Sequence, residues 1–310
     1  MPNDNDDFRK LMGAKKFDVE HALGLYALSF YSVPAEAIYD DDLINKIGDG
    51  LKSCHIYLIG FVPKVDLIGA RQDEQKLIFD FQILGKTLSV EGPIREGLTL
   101  KHDEGLWYLT DGSDNRYGPS EEQLFQALQM QHGLQEFQVV YVGQAYGTDG
   151  SRNAIDRLRK HETLQKIALK GAPEGYRLQV LLVEIQPANK MYTMLNPFAE
   201  ETSQGEKRIG QGLDKLFGTN EHERITLYEA SLISYFKPIY NKEFKNSFPS
   251  TNLKVLADCY DKDFSSIISE FCFDEPPFLL CSQAIESAPF HIVNTDLHEQ
   301  ADRKVFFAVE

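Results

Sequence analysis

Apolar residues recur along the chain with two different periods, and these lay out the expected elements. In 17–31, Val19, Ala22, Leu23, Leu25 and Tyr26 make a broad apolar face, so residues 1–50 read as largely helical. Pro34 interrupts them, and Asp40, Asp41 and Asp42 suit a solvated helix start. Residues 56–61 and 76–84 read as strands, and 86–110 alternates in short pieces with turn signals at EGP and HDEG. The run HIYLIGFVPKVDLIG, from His55 to Gly69, reads as a hairpin. LWYLT closes this part as a strand ending at DGSDN, and SEEQLFQALQMQ follows as a helix capped by Ser120 and stopped by Gly133.

The second half is more sharply patterned. FQVVYVGQ (137–144) is a strand, and GTDGS is a loop. Ser151 or Asn153 caps a helix running to about Lys170, with Gly171 as its stop. YRLQVLLVEI (176–185) is a buried strand, while 187–218 is irregular with one short helix. Residues 221–236 form a helix ended by Pro238. The last sixty residues mix a short helix with strands such as HIVN and KVFFAV.

Two helix faces carry polar residues where apolar ones are expected. On the first, Arg157, His161, Leu164 and Ala168 fall within about 60° of one another at helical spacing. Taken alone, that pair is better accounted for by a solvated basic helix, with Arg159 and Lys160 as neighbours. On the second, Glu229 sits inside the apolar stripe Ile225, Leu232, Ile233 and Phe236. An unpaired buried carboxylate costs several kcal/mol, so it calls for a cation, a metal ion or a proton. A structural ion pair and a divalent-ion site both answer that need.

Composition narrows the function classes. The chain has 310 residues, 42% hydrophobic and 25% charged, the balance of an ordinary globular protein. No apolar run reaches the ~18–20 residues of a membrane span, and the acidic start MPNDNDDFRK has no apolar core, so cytoplasmic residence is expected. A net charge of −15 argues against a general nucleic-acid coat protein. Residues 137–250, however, hold 15 basic against 13 acidic side chains, and the segments before and after are strongly acidic. Cys54, Cys259, Cys272 and Cys281 form no CxxC pair and read as buried thiols; a zinc site from Cys259, Cys272, Cys281 and His291 would have irregular spacing. Gly143, Gly147 and Gly150 lack dinucleotide-binding spacing, and no HExxH, GxSxG or P-loop pattern is present. Trp107 reads as core and Tyr146 as a loop tyrosine.

Taken in order, these pieces resemble the GIY-YIG nuclease family. Tyr141-Val142-Gly143 stands where the family has YIG at the end of a strand. Arg157 and His161 match its Arg and the His/Tyr position a turn later. Glu229 matches its metal-binding Glu, and KPIYN, ending at Asn241, matches the P-x-Y-N ending. Ahead of YVG, HGLQEF holds no tyrosine, so the first tyrosine is assigned to Tyr108, in GLWY, with a helix inserted after it. Residues 187–218 would be a second insertion.

The resemblance implies an α+β fold: a small mixed sheet flanked by helices over 101–246, after an N-terminal α+β module (1–100) and before a C-terminal module (247–310). It implies a metal-dependent DNA endonuclease, with Mg²⁺ or Mn²⁺ on Glu229, Tyr108 or Tyr141 assisting the attacking water, His161 near them and Arg157 on the phosphate. Gly143, Arg159, Lys160 and Asn241 are the expected substrate-binding residues. A membrane partner is not expected, RNA is the less favoured polymer, and monomer and homodimer both stay open. A catalytically silent binding module on the same fold and an RNA-cleaving toxin are the alternatives.

Overall fold

The computed structural model describes residues 4–146, 154–249, 253–276, 278–298 and 307. After a short helix, α1 (Asp4–Gly13), the chain enters β1 (Val19–Pro34), a strand of 16 residues and not the expected helix. Val19 to Leu25 are all buried, so both faces of this half need apolar or paired residues. Burial on both sides erases the alternation that marks a strand, and the remaining apolar run imitates a helix face. A 3₁₀ turn (Ala35–Tyr39) and α2 (Asp41–Ile47) follow; the Asp40 side chain caps α2 by accepting from the amides of Asp42 and Leu43.

The strands β2 (Cys54–Pro63), β8 (Glu136–Gln144), β9 (Tyr176–Ile185), β10 (Lys190–Leu195), β11 (Ser266–Phe271), β12 (Leu279–Cys281) and β13 (His291–Asp296) join β1 in one curled sheet. Its order is β12-β8-β2-β9-β1-β11-β13. The first half of β1 pairs with β10 and β11, and after a bulge at Ala27–Ser29 the second half pairs with β9. Strands from both ends of the sequence therefore share one sheet, and divisions at 100 and 246 do not separate modules.

The separable unit is 64–135. It holds β3 (Asp66–Asp73), β4 (Lys76–Ile83) and β5 (Lys86–Pro93) as one antiparallel sheet, the hairpin of β6 (Thr99–Asp103) and β7 (Leu106–Thr110), and α3 (Glu121–His132). Its core, including Phe79, Phe81, Val90, Leu109 and Leu128, is distinct from those of the large sheet. Ser120 and Gln123 form a full capping box on α3. The expected hairpin over 55–69 does not form: β2 joins the large sheet, and β3 turns away to pair with β4.

Helices cover both faces of the large sheet. On one face lie α4 (Ala154–Arg159) and α5 (Glu162–Lys170). On the other lie α7 (Glu221–Phe236), capped by an Asn220–Glu223 box, and α8 (Lys254–Asp261). The stretch expected to be irregular is instead β10 and a 14-residue helix, α6 (Gly205–Gly218). That helix buries Arg208 and Lys215 while exposing Ile209, Leu213 and Phe217, which inverts the pattern a sequence reading looks for. Ser151, Asn153 and most of KVFFAV lie outside the described residues. No helix among the described residues is long and apolar enough to cross a membrane.

Candidate active site

Adjacent strands β2 and β8 set two tyrosines side by side. Successive residues of β2 face opposite sides of the sheet, so Ile56 and Leu58 pack with α7 while Tyr57 and Ile59 face α4 and α5. On β8 the register slips by one residue opposite Ile59–Gly60, leaving Val140 as the extra residue. Before the bulge the register is regular, with Gly143 opposite Tyr57 and Tyr141 opposite Ile59, so alternation puts Tyr141 on the same face as Tyr57. The two rings stack at 6.2 Å between centroids. Gly143 pairs directly with Tyr57. A Cβ at Gly143 would lie 2.6 Å from the Tyr57 hydroxyl oxygen and 2.8 Å from the Tyr141 ring, so glycine makes room for the pair.

Tyr57 is the cleft residue that the sequence reading missed. Tyr108, assigned that place, lies on the β6–β7 hairpin of the inserted unit, with the Arg116 guanidinium 4.5 Å from its ring centre. It does not line the cleft that holds Tyr57 and Tyr141. The available signal was His55-Ile56-Tyr57, which departs from GIY only in its first residue.

The expected single helix over 154–170 is two helices broken at Lys160–His161. His161 is the N-cap of α5, and its Nδ1 accepts from the Leu164 amide at 3.3 Å. The neutral ring then carries its proton on Nε2, which points to the Tyr141 hydroxyl at 3.4 Å. Burial, and secondarily the Arg157 charge, lower the His161 pKa, which keeps this ring neutral. Arg157, on the last turn of α4, lines the same cleft as Tyr57, and its charge works against the rise of the Tyr57 pKa.

Glu229 comes to this cleft from α7. Burial pushes its pKa up to about 8, with the Glu243 charge adding to the rise. Hydrogen bonds from the Gln144 side chain and backbone, and the Arg157 charge, oppose it without prevailing. Both phenols are likewise raised, first by burial; the Glu229 charge adds to this, and Arg157 works against it. The cleft encloses about 620 Å³ and is lined by Tyr57, Tyr141, Arg157 and Glu229 together with Lys166, Lys242 and Glu243.

Three expected substrate contacts have other partners or positions. Asn241 is buried, accepting from the Val142 amide at 2.9 Å and donating to the Val142 carbonyl at 2.8 Å. Together with the Tyr240 amide on the Val140 carbonyl at 3.1 Å, it clamps the edge of β8 behind Tyr141. Its amide is therefore engaged with the protein's own backbone. Arg159 donates to the Ile38 carbonyl and to Asp41, both at 2.7 Å, which ties α4 to the segment after β1. Lys160 is exposed and outside the cleft lining. We expect Asn241→Ala to lose about 2–6 kcal/mol, since two buried backbone groups lose partners at about 1–3 kcal/mol each. Urea denaturation checks this, and an unshifted midpoint would dismiss the clamp.

Among the described residues, no three His, Cys, Asp or Glu side chains gather as a metal cluster. Cys259 is buried on α8, Cys272 is exposed, and His291 bonds the Leu280 carbonyl and Tyr235, so the zinc alternative is not assembled. A site built on one carboxylate fits the Glu229 surroundings: Gln144 Oε1 is buried there without a hydrogen-bond partner, and Glu243 lines the same cleft. No protein-family model, curated protein or solved structure matches the chain.

Proposed function

We propose that the chain is a divalent-metal-dependent endonuclease of the GIY-YIG type that hydrolyses phosphodiester bonds in DNA. One observation carries the reading. Tyr57, Tyr141, Arg157 and Glu229, from four separate elements, line one cleft, with His161 against Tyr141. A buried carboxylate, paired phenols and a cation in one cleft suit phosphate hydrolysis, even though Tyr57 also packs in the core.

Glu229 would hold the metal ion, with Gln144 Oε1 and Glu243 among the protein oxygens of the same cleft. Bound there, Mg²⁺ or Mn²⁺ supplies charge to polarise the scissile phosphate and to balance the leaving 3′ oxygen. Where Glu229 is ionised its charge adds to the rise of both phenol pKa values, and Arg157 works against that rise. Arg157 and the His161 Nε2–H favour a phenolate at Tyr141. Tyr141 then takes the proton of the attacking water as its oxygen bonds to phosphorus and the P–O3′ bond breaks. Arg157 offsets charge on the phosphate oxygens. The acidic flanking segments disfavour indiscriminate duplex binding, so the substrate is a restricted site or DNA structure.

The test is incubation with supercoiled plasmid in Mg²⁺ or Mn²⁺, beside an EDTA control. Metal-dependent nicking or linearisation is expected, falling about 10²–10³-fold in Arg157→Ala. Cutting that survives EDTA or is indifferent to Arg157→Ala rejects the assignment. DNA binding without cutting, across intact, branched and single-stranded substrates, would make the fold a silent binding module.

A further inference from the structure

Basic side chains around the cleft fall into two sets. Arg159, Lys170 and Lys245 are engaged within the protein: Arg159 with Asp41, Lys170 over the Tyr240 ring at 5.2 Å, and Lys245 with the Pro238 carbonyl at 3.2 Å. Arg157, Lys166 and Lys242 line the cleft, and no carboxylate among the described residues lies within 4.0 Å of any of the three. Lys166 and Lys242 make no hydrogen bond among the described residues.

Both lysines stand on fixed backbone. Lys166 rises from α5 one turn after Glu162 and Thr163, which also line the cleft, while Leu164 and Ile167 anchor that helix in the core. Lys242 directly follows Asn241, held by its two bonds to Val142. Unpaired ammonium groups on rigid elements beside an active cleft suit successive phosphates of a polyanion. Glu162 and Glu243 offset two of the three cations in the same cleft, and Glu229 keeps its proton up to about pH 8, so the cleft is only weakly positive and no general anion trap. A divalent ion on Glu229 would add to that positive charge.

Resting on the nuclease reading, we propose that Lys166 and Lys242 bind phosphates neighbouring the scissile one. The cleft then takes a polynucleotide strand with at least three successive phosphates, and a lone phosphodiester engages only its inner part.

Fluorescence anisotropy tests this with labelled single-stranded and duplex DNA in Ca²⁺ over a salt series, using wild type, Lys166→Ala, Lys242→Ala and the double variant. Each variant is expected to make the slope of log K against log salt shallower by about 0.7 for single strands or about 0.9 for duplex, and the double variant by about twice that. Hydrolysis of bis(4-nitrophenyl) phosphate, which has one phosphodiester, should be unchanged in the lysine variants and lost in Glu229→Gln. Unchanged salt slopes, or no DNA binding by wild type, overturn the proposal even if the small diester is hydrolysed. Loss of small-diester hydrolysis in the lysine variants also overturns it, because they would then act at the scissile phosphate. Shallower slopes with no hydrolysis of any diester or DNA would keep the lysines as polyanion contacts but reject both the nuclease reading and their place beside a scissile phosphate.

Discussion

Glu229→Gln is expected to reduce metal-dependent DNA cleavage by at least about 10³-fold while keeping the fold. The substitution preserves shape and hydrogen-bonding capacity but removes the buried charge that holds a divalent ion. A second readout separates this role from a structural one. The carboxyl keeps its proton up to about pH 8 in the folded protein, against an ordinary glutamate value of 4.5. The unfolded chain releases that proton earlier, so this group withdraws stability as pH rises from 4.5 toward 8 and withdraws nothing below that window. The metal-free protein should therefore lose Tm across that window, and Mg²⁺ should restore more of it at pH 8 than at pH 5.5. In Glu229→Gln both the pH-linked loss attributable to this carboxyl and the Mg²⁺ rescue should vanish. Full cutting by the variant, or an unaltered Mg²⁺ rescue of its Tm, would remove Glu229 from the metal site.

Tyr57→Phe is expected to lower cleavage by about 10²–10⁴-fold, the usual range for loss of a group that moves a proton in the transition state. Tyr57 pairs with Gly143, stacks on Tyr141 and lines the cleft with Arg157, so it stands beside both the proposed base and the cation. Tyr108→Phe serves as the contrast. Its ring lies under Arg116 on the inserted hairpin, and cleavage should remain at the wild-type rate. The opposite result, with Tyr108→Phe inactive and Tyr57→Phe active, would restore the original assignment and separate the β2–β8 tyrosine pair from catalysis.

The half of the site carried by helical periodicity was legible in the sequence. Glu229 interrupts an apolar stripe, and α7 has the expected bounds. Arg157 and His161 were placed on one face, and they do come together, although through an N-cap at a helix break and not through a continuous helix. Tyr57 was not legible, because its nearness to Tyr141 depends on which strands pair across 72 intervening residues of inserted chain. Local pattern does not encode that pairing; Pro63 followed by another apolar run even suggests a local hairpin. The roles of Asn241 and Arg159 were misjudged for a related reason. Each looks like a free polar group until the backbone carbonyl or amide opposite it is known. The sheet itself was obscured by β1, whose doubly buried first half carries no alternation.

The inserted unit leaves the large sheet after Pro63 and returns at Glu136, and near these points Phe61 and Gln138 are direct partners. Entry and exit are thus neighbours, as they would be across a two-residue turn. Lengthening a loop between fixed ends adds only about 0.6 kcal/mol per doubling, so descent can enlarge, trim or replace this unit without re-registering the tyrosine strands. The chemistry and whatever the insert recognises become independently heritable traits, joined at one edge of one hairpin.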